Sequence, residues 1–489
     1  MLSVTARLAQ EGWTAHILWS GAPDQTGQAV GDGVTSTWMA SIKPAARLTL
    51  DGPNLFPALH TSDHVLDALR QLHARHSFDL IEFPERGGVG FRAVQAKETG
   101  QAFEDVGLVV SLHGPSIVER DHDQQWLSRP EELALDYAEH YAFAHADAQL
   151  VVRSDLLAET RRLGWMVRFD AEQVSDTKEE TGAMYRRLAT VKREATARDT
   201  QPLVTISVAY YNLGDFLKET LESLAQQTYR NLEVLVINDG STDPHSIAVL
   251  EEMRSRFPSF RFLEHANAGI GATRNRGLRE AQGRYFLPVD ADNVASPDMV
   301  QRFVEGMEGN PALAALTCYF LAFRCSGDLA AERFAYAYKP TGGPRVLACL
   351  QNVYGDGNAI FRAEALRAVG GFEIDRDTSF EDWEVFVKLV NAGYRLDVAP
   401  AFLLYYRHRD EGFSRVTKGY RNHQRVLRRF VEIESLSVQD RRTLWNLLVG
   451  SQRRMKELGE HVERLRTSSR ARRLAGWLKA VVRRAWGGS

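Results

Sequence analysis

Two long stretches of the chain alternate short apolar runs with segments of helical spacing. In the first stretch, from residue 1 to about 170, the apolar runs are TAHILW (14–19), FDLIEF (78–83), VGLVVSLH (106–113) and AQLVV (148–152). Helical spacing of apolar residues covers 63–76, 91–100, 131–145 and 155–163, and Ser154 is the expected N-cap of the last. Alternation of strands and helices predicts a parallel sheet with helices on both faces.

The second stretch, from 203 to about 410, repeats this alternation. Its predicted strands are LVTISVA (203–209), LEVLVI (232–237), FRFLEH (260–265) and RYFLPV (284–289). Predicted helices follow the strands, over 246–256, over 270–282 and from Asp215, an expected N-cap, along an apolar face that includes Leu217 and Leu221. We therefore expect a second α/β domain.

Between and after these stretches the pattern changes. Residues 171–200 lose apolar periodicity and gain charge, which predicts a partly helical linker. The expected divisions are an α/β domain over 1–170, the linker over 171–200, a second α/β domain over 201–420 and a basic helical tail over 421–489. Residues 441–489 hold 13 Lys or Arg against three Glu.

Composition limits the class of protein. A chain of 489 residues is too long for one ordinary core, and 44% hydrophobic with 25% charged residues describes a soluble globular protein. The net charge of −3 gives no overall attraction to nucleic acid. Three cysteines without CxxC spacing predict buried reduced thiols. No run of 18 apolar residues and no secretion signal are evident, so we expect a cytoplasmic protein.

Polar clusters follow the predicted strands of the second stretch, where ligands bind open parallel sheets. The chain contains three Asp-x-Asp strings, but only Asp290-Ala-Asp292 directly follows a continuous apolar strand. Carboxylates one residue apart at a strand end can share a divalent cation, which can hold a diphosphate. This context selects Asp290 and Asp292 as candidate metal and diphosphate residues.

Three further clusters carry candidate chemistry, each with a plain structural alternative. Tyr211 could stack on a nucleobase or be an ordinary tyrosine. Asp239, in Asn-Asp-Gly-Ser, could accept a hydrogen bond from the ring N–H of a base or form an Asx-turn. The glycine-rich segment 267–277, with Arg274, suits a phosphate at a helix start or a closely packed turn.

Two downstream positions complete the candidate site. Glu381 and Asp382 begin a predicted helix, where acids usually favour the helix dipole but could also supply a general base. His408, in YYRHRDEGF, could be a third metal ligand or an ordinary polar residue.

The order and spacing of these clusters resemble the family 2 glycosyltransferases of the GT-A fold. The resemblance covers about 203–415 and rests on SVAYYN, QTYRNLEVLVINDGSTD, NAGIGATRNRGLREAQGRYFLPVDADN and FEDWEVFVKLVNAGYRL. It implies that Tyr211 and Asp239 hold a uracil-type base, that Arg274 lies near the diphosphate and that Asp382 is the catalytic base beside Glu381. Ala209-Tyr210 departs from the Pro-Thr common in the family.

The resemblance implies an inverting transferase that uses Mg²⁺ or Mn²⁺ and a nucleotide-sugar donor, expected to be a UDP-sugar. The expected acceptor is a glycan or lipid-linked sugar in surface polysaccharide synthesis. Two other functions stay open at this point. A sugar nucleotidyltransferase should carry a glycine-rich phosphate loop after the first strand, and a catalytically silent glycan-binding scaffold has no reason to keep all four aspartates.

The first stretch resembles the N-terminal half of family 4, GT-B type glycosyltransferases, through LAQEGWTAHIL, FDLIEFPERGGVG, VVSLHGPS and AHADAQLVVRSDLLAETRRLGW. The resemblance implies a Rossmann-like domain that holds or docks the acceptor, with Glu82 and His113 at the cleft or only as strand-end polar residues. The donor-binding half of that family is missing here, so no second active site is expected.

The tail has two interpretations. Residues 470–486 place apolar residues on one stripe and six basic residues elsewhere, which favours peripheral contact with an anionic membrane on its inner face. A helix that packs on the protein, or a coiled coil over 443–466, is the alternative. Nucleic acid is not an expected partner, since no aromatic and basic recognition surface accompanies the charge.

Overall fold

The computed structural model describes most of both predicted domains. The described residues are 12–19, 34–52, 56–125, 127, 129–151, 155–168, 172–173, 183, 185–187, 189, 201–409, 417, 419–433 and 436–467. The tail segment 470–486, the predicted cap Ser154 and most of the linker lie outside them.

The N-terminal part is an α/β domain, as the sequence predicts. Its strands are β1 (Ala15–Trp19), β2 (Val34–Trp38), β3 (Leu80–Pro84), β4 (Gly107–Leu112), β5 (Ala148–Val151) and β6 (Glu172–Gln173). Its helices are α1 (Pro57–His76), α2 (Phe91–Glu98), α3 (Ser116–His122), α4 (Pro130–His145) and α5 (Leu156–Arg162).

Strands β3, β4, β5 and β6 form a parallel sheet in that order. Every residue of β4 and β5 is buried, which explains their continuous apolar sequences. The run TAHILW was expected in this sheet, but β1 instead pairs with β2 in a separate parallel pair.

The second domain carries the larger sheet. Its strands are β7 (Val204–Tyr210), β8 (Leu232–Asn238), β9 (Arg261–Glu264), β10 (Tyr285–Asp290), β11 (Val294–Ala295), β12 (Leu313–Phe323), β13 (Tyr336–Tyr338), β14 (Ile360–Arg362) and β15 (Arg395–Arg407). Its helices are α6 (Gly214–Ala225), α7 (Pro244–Arg256), α8 (Ile270–Glu280), α9 (Met299–Gly309), α10 (Ser326–Ala330), α11 (Ala363–Ala368), α12 (Glu381–Asn391), α13 (Gly419–Val431) and α14 (Val438–Thr467).

This nine-stranded sheet is mixed. Its order is β11-β15-β12-β14-β10-β7-β8-β9, and β13 pairs with β12. Strands β10, β7, β8 and β9 are mutually parallel, whereas β14 is antiparallel to both β10 and β12. Because β14 comes between β10 and β12, the segment that precedes it in the chain is brought beside the C-terminal end of β10.

A buried polar network joins the two domains. Asp397, at the start of β15, is 1% exposed and accepts hydrogen bonds from Gln95 Nε2 at 2.9 Å and Tyr141 Oη at 2.5 Å. Tyr319 Oη donates to Asp63 at 2.8 Å across the same interface. Such a network is costly to break, because each partner would be left buried without a bond. The N-terminal domain is thus fixed to the second one rather than tethered to it.

Some local predictions are wrong in detail. Asp215 lies inside the first turn of α6, and Leu213 is the N-cap residue without a side-chain hydrogen bond. All three cysteines are free, but Cys325 is exposed, since it precedes the short surface helix α10. In the described part of the chain, no helix has the length and apolar content to cross a bilayer.

Candidate active site

One open cleft of about 1010 Å³ lies at the C-terminal ends of β7, β8 and β10. It brings together seven of the eight predicted site residues, which come from five separate segments of the chain. They are Tyr211, Asp239, Arg274, Asp290, Asp292, Glu381 and Asp382. Parallel strands deliver their C-terminal residues to one edge of the sheet, which explains the convergence.

Tyr211 and Asp239 form one end of the cleft. Tyr211 is 43% exposed, so its ring is available to a ligand. Asp239 is buried, and its carboxylate accepts hydrogen bonds from the backbone N–H groups of Ala268 at 2.7 Å and Gly269 at 2.9 Å. Asp239 therefore fixes the turn that leads into α8, in addition to facing the cleft.

Arg274 is the central cation of the site. Its guanidinium donates to Asp290 Oδ1 and Glu381 Oε1, each at 2.7 Å, and it is almost fully buried. Burial alone would lower the pKa of Arg274, but the charges of Asp290, Glu381 and Asp382 outweigh it and raise that pKa. The arginine is permanently charged and holds acids from β10 and α12 together.

Asp292 and His408 do not form the expected metal cluster. Asp292 Oδ2 accepts a hydrogen bond from Arg409 Nε at 2.7 Å. His408 lies 3.3 Å from Tyr336 Oη through its Nδ1 and is not among the residues that line the cleft. Among the described residues, no group of three or more His, Cys, Asp or Glu side chains could hold a metal ion.

Two arginines pair with the Asp-x-Asp string. Arg274 forms an ion pair with Asp290, and Arg409 forms one with Asp292. Burial, with the nearby charge of Asp290, still raises the pKa of Asp292. Two carboxylates suit a hard cation chemically, and Asp290 and Asp292 are the residues that would hold one.

Asp382 lines the cleft at the start of α12. It lies in the first turn of α12, and its Oδ1 accepts the backbone N–H of Trp383 at 2.7 Å. Burial, followed by repulsion from Glu381 and Asp356, raises the pKa of Asp382 to about 8. A carboxyl group with this pKa is matched to proton transfer near neutral pH.

Asp356 is a cleft residue that the sequence analysis missed. Asn358 donates to Asp290 Oδ2 at 3.1 Å through its side-chain amide, and the same amide bonds Asp356 Oδ1. Burial, followed by the charge of Asp290, raises the pKa of Asp356 to about 6. The one available signal was an acid in Asp-Gly-Asn directly before the short strand β14, which also describes an ordinary turn.

Helix α13 supports the loop that leads into α12, the helix that begins with Glu381 and Asp382. The side chain of Asn422 is fully buried and bonds both the backbone N–H and the hydroxyl of Ser379, at 3.1 and 2.7 Å. Phe380 follows in a left-handed conformation with φ of 74°, which is rare for a bulky residue and common at functional sites. The α13 contacts hold this strained residue in place.

The N-terminal domain does not line the cleft. Within the described part of the chain, every lining residue lies between 209 and 423. Glu82 accepts hydrogen bonds from Ser111 on its own domain and from Tyr185 in the predicted linker, and His113 is exposed elsewhere. This is because the domain packs against the start of β15, whereas Arg407 at the end of β15 faces the cleft.

Comparison with known proteins identifies the segment that builds most of the cleft. Residues 205–370 match the model of the family described as "Glycosyl transferase family 2". The chain is therefore similar to the family 2 glycosyltransferases over this segment. The match ends before Glu381 and Asp382, which the cleft adds from outside it.

Named relatives agree with this domain assignment. An uncharacterized glycosyltransferase of Haemophilus influenzae is 36% identical over 119 residues, which is 24% of this chain and 36% of that protein. Chondroitin synthase of Escherichia coli is 32% identical over 125 residues, 26% of this chain and 18% of that protein. The chain thus spans well under half the length of these curated relatives.

Solved structures are more distant. The S. aureus protein TarS, residues 1–349 in complex with UDP-GlcNAc, is 17% identical and matches with a TM-score of 0.40. The match covers 48% of this chain and 69% of that one. A likeness at this level carries no argument about ligands. The resemblance of residues 1–170 to family 4 enzymes stays a prediction.

Proposed function

We propose that this protein is an inverting glycosyltransferase that transfers a sugar from a nucleotide diphosphate, expected to be UDP, to a glycan or lipid-linked acceptor. One observation carries the proposal. Four aspartates that the family resemblance assigns to base, diphosphate and proton transfer line a single cleft: Asp239, Asp290, Asp292 and Asp382.

In the proposed reaction, Asp382 removes the proton of an acceptor hydroxyl as its oxygen attacks the anomeric carbon. The bond from that carbon to the diphosphate oxygen breaks, and the diphosphate leaves with the electron pair. Single displacement inverts the anomeric configuration. Arg274 keeps Glu381 and Asp290 at fixed positions beside the reacting atoms, which is the kind of preorganisation that lowers a barrier most.

The donor would lie along the cleft with its base against Tyr211 and its diphosphate toward Asp290 and Asp292. Asp239 is expected to act on the base and also through the turn that it fixes. A Mg²⁺ or Mn²⁺ ion stays our prediction, with Asp290 and Asp292 as its protein ligands. Such an ion would supply charge neutralisation to the departing diphosphate.

The full-length protein should release the nucleoside diphosphate when mixed with its donor in the presence of Mn²⁺. A panel of UDP- and GDP-sugars, assayed for released UDP or GDP, tests this directly. Proton NMR of the product then reports the anomeric configuration. Absence of release from every donor, with and without oligosaccharide acceptors, would contradict the proposed activity, and retention of configuration would contradict the mechanism.

Acceptor docking by residues 1–170, synthesis of a surface polysaccharide and a cytoplasmic location remain predictions. The buried contacts of Asp397 favour a bracing role for the N-terminal domain. A variant that lacks residues 1–170 should therefore lose stability before any change in acceptor affinity can be measured.

A further inference from the structure

The arginines that line the cleft have partners within the protein, whereas two of its acidic side chains form no ion pair with a described residue. Each of its four arginines already binds a partner within the protein. The pairs are Arg274 with Asp290 and Glu381, Arg376 with Asn267, Arg407 with Glu219, and Arg409 with Asp292. Arg274, Arg407 and Arg409 are thus paired with carboxylates, whereas the exposed Arg376 bonds the neutral Asn267 and packs on Gly269, in the turn that Asp239 fixes.

Asp356 and Asp382 are different. Neither forms an ion pair with a described residue. Asp356 Oδ1 accepts the backbone N–H of Asn358 at 2.9 Å, and Asp382 Oδ1 accepts that of Trp383 at 2.7 Å. The second oxygen of each carboxylate has no protein donor among the described residues. Both carboxylates face the cleft and can accept hydrogen bonds there.

Their positions indicate which part of a donor they would meet. A Cβ atom added to Gly357 would lie 3.0 Å from Asp382 Cβ and 3.3 Å from Arg274 Nη2. The backbone beside Asp356 therefore packs directly on Asp382, the proposed general base. Asn358 ties the other side of Asp356 to Asp290. Asp356 thus lies between Asp290, where the diphosphate is expected, and Asp382, the proposed general base. The transferred sugar must lie there if the proposed function holds.

We infer that Asp356 recognises the transferred sugar by accepting hydrogen bonds from its hydroxyl groups, and that the donor carries a neutral sugar rather than a uronic acid. The inference rests on the proposed function and extends it to the substrate class. A sugar carboxylate beside Asp356 would meet two acids that form no ion pair with a described residue. Arg274, which packs beside Gly357, is already bonded to Asp290 and Glu381. Like charges at short range disfavour binding.

The experiment compares matched donors that differ only by oxidation of C6. The probes are UDP-glucose with UDP-glucuronate, UDP-galactose with UDP-galacturonate, and GDP-mannose with GDP-mannuronate. Nucleotide release is measured for the full-length wild type, for Asp356→Asn and for the control Asp105→Asn, whose exposed side chain lies in the N-terminal domain. The quantity compared is kcat/KM for the neutral donor divided by that for its uronate.

We expect the wild type to favour the neutral member of its active pair by about a hundredfold. Asp356→Asn should lower this ratio at least tenfold, and Asp105→Asn should leave it unchanged. A general loss of folding would reduce both rates and keep the ratio, so the ratio isolates recognition. Preference for a uronate, or an unchanged ratio in Asp356→Asn, overturns the inference while the transferase activity stands. A wild type that releases nucleotide from no donor would overturn both.

Discussion

Replacement of Asp382, the proposed general base, by asparagine tests its role in catalysis separately from its role in donor binding. The carbonyl oxygen of asparagine can still accept the backbone N–H of Trp383, so the first turn of α12 keeps its hydrogen bond. The change removes an acid whose ionised form is disfavoured by burial and by the charges of Glu381 and Asp356. We therefore expect no loss of stability and no weakening of donor binding.

The effect on rate follows from the role of a general base. Such groups contribute about 10²- to 10⁴-fold, which is about 3 to 5 kcal/mol of barrier at ~1.36 kcal/mol per tenfold. Asp382→Asn should lower kcat by that factor and leave the Kd for UDP within about twofold. Asp298→Asn is a matched control, because Asp298 also lies at a helix start but outside the cleft.

The pH profile adds a second test. The raised pKa of Asp382, about 8, means that the reactive carboxylate form becomes dominant only above that pH. The wild-type rate should rise with pH through about 8, and the residual rate of Asp382→Asn should lack this rise. The ionised form of Asp382 is unfavourable in the folded protein, so ionisation destabilises the wild type. The free energy of unfolding of Asp382→Asn should therefore increase relative to that of the wild type as the pH rises from about 4 to about 8.

Stopped assays of nucleotide release between pH 5.5 and 9.5 and calorimetric titration with UDP measure both quantities. Undiminished turnover in Asp382→Asn would remove this residue from the mechanism. Lost UDP binding with an unchanged kcat would show that its role is in binding instead.

Three other changes test separate parts of the structure. Asp292→Ala should weaken UDP binding at least tenfold by titration, and an unchanged Kd would contradict its diphosphate role. Gly306→Ala places a Cβ about 2.5 Å from a carbonyl of the other domain and should cost about 1 to 3 kcal/mol in urea unfolding, whereas Gly459→Ala, with open space around it, should not destabilise. Asn422→Ala leaves Ser379 without its two bonds and should lower kcat more than it changes the donor KM.

Much of the candidate site could be predicted because it depends on strand ends. Asp239 and Asp290 each follow or end a parallel strand, and the rule for open α/β sheets places such residues together without knowledge of distant contacts. The family resemblance added Asp382, which lies about 90 residues further along the chain. The presence of Asp382 in the same cleft confirms that these segments converge. The roles of the residues stay predictions.

The parts that could not be predicted depend on contacts between distant segments. Asp356 enters the cleft only because β14 comes between β10 and β12, and nothing in Asp-Gly-Asn specifies that position. His408 carries the right chemistry, yet its ring packs on Tyr336, a residue that lines the cleft, and is not itself one of the lining residues. The interface around Asp397 is equally hidden, because a buried aspartate on an apolar strand looks unfavourable until its partners from the other domain are known.

The charge balance of the cleft connects these observations. Seven acidic side chains line it, against four arginines: Asp239, Asp290, Asp292, Asp356, Asp375, Glu381 and Asp382. A diphosphate that enters this set adds negative charge next to Asp290 and Asp292, whose arginine partners neutralise one charge each. Positive charge that arrives with the donor would balance this set, which favours the predicted divalent cation. The same imbalance disfavours any further negative charge on the sugar.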